Sequence, residues 1–106
     1  MFDSIKNLFG METTDFAALV KEGAIIVDVR SKGEYAGGHV KNSINIPVDQ
    51  LSANLSRLKD KNKPIITCCA SGMRSSSAQT MLKNAGYTKV YNGGGWMSLN
   101  NKDRKS

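Results

Sequence analysis

Two continuous apolar runs limit what this chain can fold into: Ala24-Ile25-Ile26-Val27-Asp28-Val29-Arg30 and Pro64-Ile65-Ile66-Thr67-Cys68. A strand with one wet face alternates apolar and polar residues. An unbroken β-branched run instead marks a strand buried on both faces, as in a parallel sheet covered by helices. The segments between and around the runs carry helical signals. Thr13 or Thr14 is placed to cap a short helix over 15–21, with Phe16, Leu19 and Val20 on its apolar side and Gly23 ending it. Ser31 and Glu34 stand at capping-box spacing, predicting a short helix that carries Tyr35 and breaks at Gly37-Gly38. Residues 43–47 alternate like a short strand stopped by Pro47, and Leu51, Leu55 and Leu58 share one side of a following helix. After the second run, Ala78, Met81, Leu82 and Ala85 recur at helical spacing up to Gly86. Lys89-Val90-Tyr91 reads as a last short strand, and Asn92-Gly93-Gly94-Gly95-Trp96 as a flexible turn with an aromatic anchor. Strands alternating with helices predict an α/β fold: a central, mostly parallel sheet with helices on both faces and right-handed crossovers.

A chain of 106 residues holds one such core, and the periodic part spans 13–99. The stretch 1–12, with Phe2, Ile5, Leu8 and Phe9, reads as a docking helix or, alternatively, a loosely held amphipathic tail. Residues 100–106 contain no apolar side chain and read as a solvated tail. No apolar run approaches the roughly 20 residues of a membrane span, and Met1 to Gly10 lacks the basic start and long apolar stretch of a signal peptide. A cytoplasmic monomer is the default expectation. The net charge of +6 raises nucleic-acid binding, but the basic residues are scattered and no nucleic-acid motif accompanies them. Attraction of small anions is the better use of that charge. Cys68 and Cys69 are adjacent, which makes poor material for a disulfide or a zinc site, so no metal or cofactor is expected.

Chemistry concentrates in Cys69-Ala70-Ser71-Gly72-Met73-Arg74-Ser75, between a predicted buried strand and a predicted helix. Strand-to-helix loops are where α/β proteins place ligands. Small residues let the backbone curl, and amides opening a helix point into the curl, where they stabilise a thiolate. Gly72 allows a close backbone approach that a side chain would block. Arg74 closes the loop with a fixed positive charge, used on a substrate or on loop carbonyls. Ser71 and residues 75–77 also suit a helix start.

Three blocks of the sequence then resemble the rhodanese (sulfurtransferase) family in its single-domain form. Val27-Asp28-Val29-Arg30 through Glu34-Tyr35 to Gly38-His39-Val40 is similar to the family's D-x-R-x-x-x-E-[FY]-x-x-G-H-[IV] signature. Residues 69–75 match the active loop C-x-x-G-x-R-S, and Val90-Tyr91 with Gly93-Gly94-Gly95-Trp96 resembles the closing glycine turn. The resemblance implies that Cys69 takes a sulfane sulfur from a small anionic donor such as thiosulfate. The persulfide would then pass sulfur to cyanide, a thiol or a protein acceptor. Asp28, Arg30, Glu34 and His39 match the family and are expected to hold the loops around the site, Arg30 being open to a second anion contact or a surface salt bridge. Trp96 is expected to anchor the core. Two departures stand out: Asn42-Ser43 replaces the usual Gly-Ala, and Thr67-Cys68 sets a second thiol beside the first. Cys68 could resolve a persulfide or simply fill space. Counted from Cys68, the loop reads Cys-x5-Arg, the spacing of cysteine phosphatases and arsenate reductases; a non-catalytic sulfur carrier or binding module is the other rival. Thr67 stands where the phosphatase pattern has His, and Gly72 falls three after Cys69, which favours the shorter count.

Overall fold

The computed structural model describes residues 14–104, so the expected docking helix over 1–12 lies outside the described residues. Helix α1 (Phe16–Lys21) is capped by Asp15 rather than by Thr13 or Thr14: the Asp15 carboxylate accepts from the Ala18 amide at 3.0 Å. Strand β1 (Ile25–Asp28) leads into α2 (Lys32–Ala36), whose N-terminus carries both arms of the Ser31–Glu34 capping box. The short β2 (Ile44–Asn45) follows. The leucine-bearing segment is not an α-helix but two 3-10 helices, Val48–Gln50 and Ser52–Arg57, and non-helical dihedrals at Asn54 kink the second. The Asn54 amide side chain donates to the Gln50 carbonyl at 2.8 Å, a local bond of the kind that competes with helix continuation. Leu51 and Leu58 are nonetheless fully buried.

Strand β3 (Ile65–Cys69) runs through the centre of the domain, and α3 (Met73–Asn84) follows after three residues. Met81, expected on the apolar side of α3, is exposed; Ala78 and Leu82 alone supply its apolar buried contacts. The glycine-rich stretch is an ordered strand rather than a flexible turn: β4 spans Val90–Gly95 and passes directly into α4 (Trp96–Arg104). A side chain at Gly93 would lie 2.8 Å from Ile66 and 2.9 Å from Leu99, so the glycine permits close packing there. Helix α4 carries the chain on to Arg104, and its Leu99 is fully buried.

The four strands form an all-parallel sheet in the order β2-β1-β3-β4. Alternate residues face opposite layers. Val27, Val29, Ile65 and Cys69 pack under α3 and the 3-10 segment with Leu51, Leu58, Ala78 and Leu82. Ile26, Ile66 and Cys68 pack on the other side with Phe16 of α1 and Leu99 of α4. Helices thus cover both faces. The chain leaves β1 toward β2 and returns to β3 on the opposite flank, which puts a topological switch point between the carboxyl ends of β1 and β3. Among the described residues, no helix is long and apolar enough to cross a membrane.

Candidate active site

At the switch point β3 ends on Cys69. The register of β3 against β4 shifts between Thr67 and Cys69, an irregularity that brings Gly95 level with Cys69. Gly95 lies so close to the loop that a Cβ there would stand 2.9 Å from the Ala70 carbonyl oxygen. Gly72, the residue preceding α3, has φ +106°, a left-handed conformation open to glycine at little cost. That turn folds the loop back over the sulfur. Cys69 Sγ accepts from the Gly72 amide at 3.0 Å and from the Ser75 amide at 3.3 Å, and the Ser75 hydroxyl oxygen lies 3.5 Å away. Cys69 and Ser75 are buried, whereas Ala70, Ser71 and Met73 form an exposed rim.

Burial alone would push the Cys69 thiol up. The Ser75 hydroxyl and the amides of Ser75, Gly72 and Ser71 outweigh it, and the pKa lies below the ordinary cysteine value. Cys68 is the opposite case. It faces the other layer of the sheet, fully buried among apolar side chains, and its pKa is pushed up to about 12, first by burial and then by Asp28, with Arg30 partly offsetting. The two neighbouring thiols are thus shifted in opposite directions. The strand's alternation sets Cys68 in the layer opposite Cys69.

Arg74 does not cap loop carbonyls. Its guanidinium makes a bidentate pair with Glu34, at 2.8 and 3.0 Å, tying the start of α3 to α2. Glu34 also closes the capping box with Ser31, and these partners, Arg74 foremost, hold its carboxyl down to about 2. A cleft of about 360 Å³ opens beside the pair, with Val29, Pro47 and Val48 in its wall and Lys32, Arg74 and Asp49 supplying charge.

Arg30 is neither a surface salt bridge nor an exposed anion contact. It is buried and forked onto Asp28, with Nε 3.0 Å from both carboxylate oxygens and Nη2 2.7 Å from Oδ2. It also donates to the carbonyls of Glu34 and Gly38, and lies 4.8 Å over the Trp96 ring. Asp28 and Arg30 thus hold the β1–α2 connection, and Trp96 is packed where a core anchor was expected. His39 is exposed, stacked on Tyr35 at 3.7 Å, and its Nδ1–H donates to the Tyr35 carbonyl. Its role is to fix the end of α2. Asn42 has φ +68°, a left-handed position that asparagine tolerates and that explains why glycine suits it elsewhere.

One residue of the site escaped the sequence reading. Asn92 in β4 accepts from the Ser75 hydroxyl at 2.6 Å and from the Gly94 amide at 2.9 Å, binding the last strand to the cysteine loop. The sole sequence signal was its place before the glycines.

These features define a class: a parallel α/β domain that presents one activated cysteine in a tight amide cradle at the end of its central strand. A model of the rhodanese-like domain family matches residues 12–102. Thiosulfate sulfurtransferase GlpE of Pseudomonas fluorescens is 35% identical over 83 residues, covering 77% of this chain and 74% of that protein. A tRNA sulfurtransferase of Thermoplasma acidophilum is 32% identical over 72 residues, covering 68% of this chain. The chain spans 14% of the length of that relative and 54% of a Bacillus subtilis relative. Among solved structures, a rhodanese with anions from E. coli superposes with a TM-score of 0.69 at 32% identity, covering 72% of this chain and 91% of that one. The chain belongs to the rhodanese-like domain family.

Proposed function

We propose that this chain is a sulfurtransferase that moves a sulfane sulfur from a small anionic donor of the thiosulfate type, through a persulfide on Cys69, to cyanide or a thiol. The Cys69 thiolate attacks the outer sulfur of thiosulfate. A sulfur–sulfur bond forms at Cys69 as the donor's own sulfur–sulfur bond breaks, and sulfite leaves with the bonding pair. Cyanide or an acceptor thiolate then attacks the outer persulfide sulfur, and the Cys69 thiolate departs unchanged. No step consumes an external oxidant, and no histidine base is needed where the thiol is already acidified.

The observation that carries this reading is the pair of amides on Cys69 Sγ, from Gly72 at 3.0 Å and Ser75 at 3.3 Å. With four residues between Cys69 and Arg74, the curl is shorter by one residue than a phosphate-enclosing Cys-x5-Arg loop. Its backbone dipoles suit a thiolate and, after transfer, an anionic persulfide. The net charge of +6 favours the approach of a small anion.

Intact mass after incubation with thiosulfate tests the proposal. One sulfur atom is expected on wild type and on Cys68→Ser, none on Cys69→Ser, and cyanide should remove it as thiocyanate. Absence of sulfur from wild type, or its retention in Cys69→Ser, would overturn it. Hydrolysis of a phosphate ester dependent on Cys68 would install the phosphatase reading instead.

A further inference from the structure

The Ser75 hydroxyl has one proton and three acceptors in reach. Asn92 Oδ1 lies 2.6 Å from Ser75 Oγ, the Gly72 carbonyl oxygen 3.1 Å and Cys69 Sγ 3.5 Å. The first is a short, strong geometry for an O–H···O bond. With the proton committed there, the sulfur contact is made by the Cys69 thiol donating to the Ser75 oxygen. This arrangement suits a thiol. A thiolate has no proton to give, so sulfur and hydroxyl oxygen would then meet as two acceptors unless the hydroxyl turns.

Asn92 is built to allow that turn. Its Oδ1 also accepts from the Gly94 amide at 2.9 Å, its Nδ2 lies 3.5 Å from the Gly72 carbonyl, and its backbone pairs with Thr67 of β3. Losing the Ser75 proton therefore leaves Oδ1 with a donor still in place, and no buried acceptor is orphaned.

We propose that Asn92 is a positioning residue for the nucleophile, acting through Ser75: it holds the Ser75 proton while Cys69 is a thiol and yields it to Sγ when the thiolate forms. The Cys69 proton goes to water, the hydroxyl rotates about its Cβ–Oγ bond, and Sγ gains a third donor beside the amides of Gly72 and Ser75. A neutral hydrogen bond is exchanged for a charge-assisted one. Asn92 and Cys69 compete for one proton, so removing the competitor favours the thiolate whereas removing Ser75 disfavours it. The inference rests on Cys69 being the reactive thiol of the proposed transfer. The charged and titratable groups around it are Arg74 of α3 with its partner Glu34 of α2, and, across the sheet, Cys68 with the Asp28–Arg30 pair at the end of β1. None is altered in the test.

The test is an ultraviolet titration of the Cys69 thiolate in the full chain, with Ser75→Ala, Asn92→Ser and the double variant. Serine at 92 keeps an oxygen placed to accept from the amide two residues on, yet is too short to reach Ser75. Ser75→Ala should lower the acid dissociation constant of Cys69 about tenfold. Asn92→Ser should raise it about threefold. The double variant should match Ser75→Ala alone. A lowered constant in Asn92→Ser, or an Asn92 effect that survives in the Ser75→Ala background, would overturn the proposal and leave Asn92 a scaffold of the glycine strand. Asn92→Ala gives the same readout if the serine variant does not fold. Sulfur uptake is scored separately by mass, so expected titrations without uptake would defeat the sulfurtransferase reading and leave this one standing.

Discussion

Two arginines in this chain occupy family-matching positions, and their environments separate their roles. Arg74 is half-exposed on a half-exposed glutamate, where an ion pair contributes little to stability. Arg30 is buried on a fully buried aspartate and also serves two backbone carbonyls and the Trp96 ring. Burying that pair cost desolvation, but removing one member leaves an uncompensated charge. Arg30→Met should therefore destabilise the domain by about 3–5 kcal/mol, against a total of about 5–15 kcal/mol for a small domain. Arg30→Lys should lie between, because one ammonium cannot reproduce the fork onto Asp28 and the carbonyl contacts together. Urea unfolding of both variants checks the order; equal stability of Met and wild type would mean that Asp28 finds another partner. The sequence showed the Asp-x-Arg spacing but not its burial, since a charged residue at a strand end reads as a surface group until something folds over it. Here the cover comes from Gly38, eight residues on, and from Trp96, far along the chain.

At the level of elements, β1, β3, α2 and most of α3 were legible because each carries a local pattern that agrees with its final environment: β-branched runs, a capping box, small and apolar residues at helical spacing. Strand β4 was legible only at its start, Val90-Tyr91, and helix α4 was not. Three glycines are poor strand formers, and Val90–Gly95 is a strand because β3 offers a register that only glycines can approach closely enough. Helix α4 is polar along most of its length, and Leu99 with Trp96 supplies its attachment. Leu99→Ala should accordingly cost about 2–5 kcal/mol and, in hydrogen exchange, expose α4 first. A loss below about 0.5 kcal/mol would mean that Leu99 does not anchor α4. Gly95→Ala makes a sharper demand. The added methyl meets the Ala70 carbonyl at 2.9 Å and must displace the loop that closes over Cys69. The expected outcome is a folded domain whose sulfur uptake from thiosulfate falls at least about tenfold, since small displacements of a reacting group are costly. Unchanged uptake in a folded variant would show that the cradle tolerates the shift.

Across the whole molecule, the crossover after β1 and the helix after β3 meet at the mouth of the site through Glu34 and Arg74, forty residues apart in sequence. Their contact, modest as an exposed pair, is expected to weaken in acid. The Glu34 carboxyl is held at about 2 rather than its ordinary 4.5, first by the Arg74 guanidinium and then by the Ser31 amide and hydroxyl. A folded-state pKa below the unfolded one means that the unfolded chain takes up the proton first as pH falls. The stabilisation is thus complete above about 4.5, declines as the pH drops from there, and is gone below about 2. The margin of wild type over Glu34→Gln should therefore be constant at neutral pH and shrink through that acid window, followed by thermal melts at fixed ionic strength. Arg74→Met should retain part of the dependence, because the capping box still favours the carboxylate, with the loss complete at a pH nearer 4.5. A margin independent of pH would assign Glu34 a packing role and leave the two halves of the site joined by something other than charge.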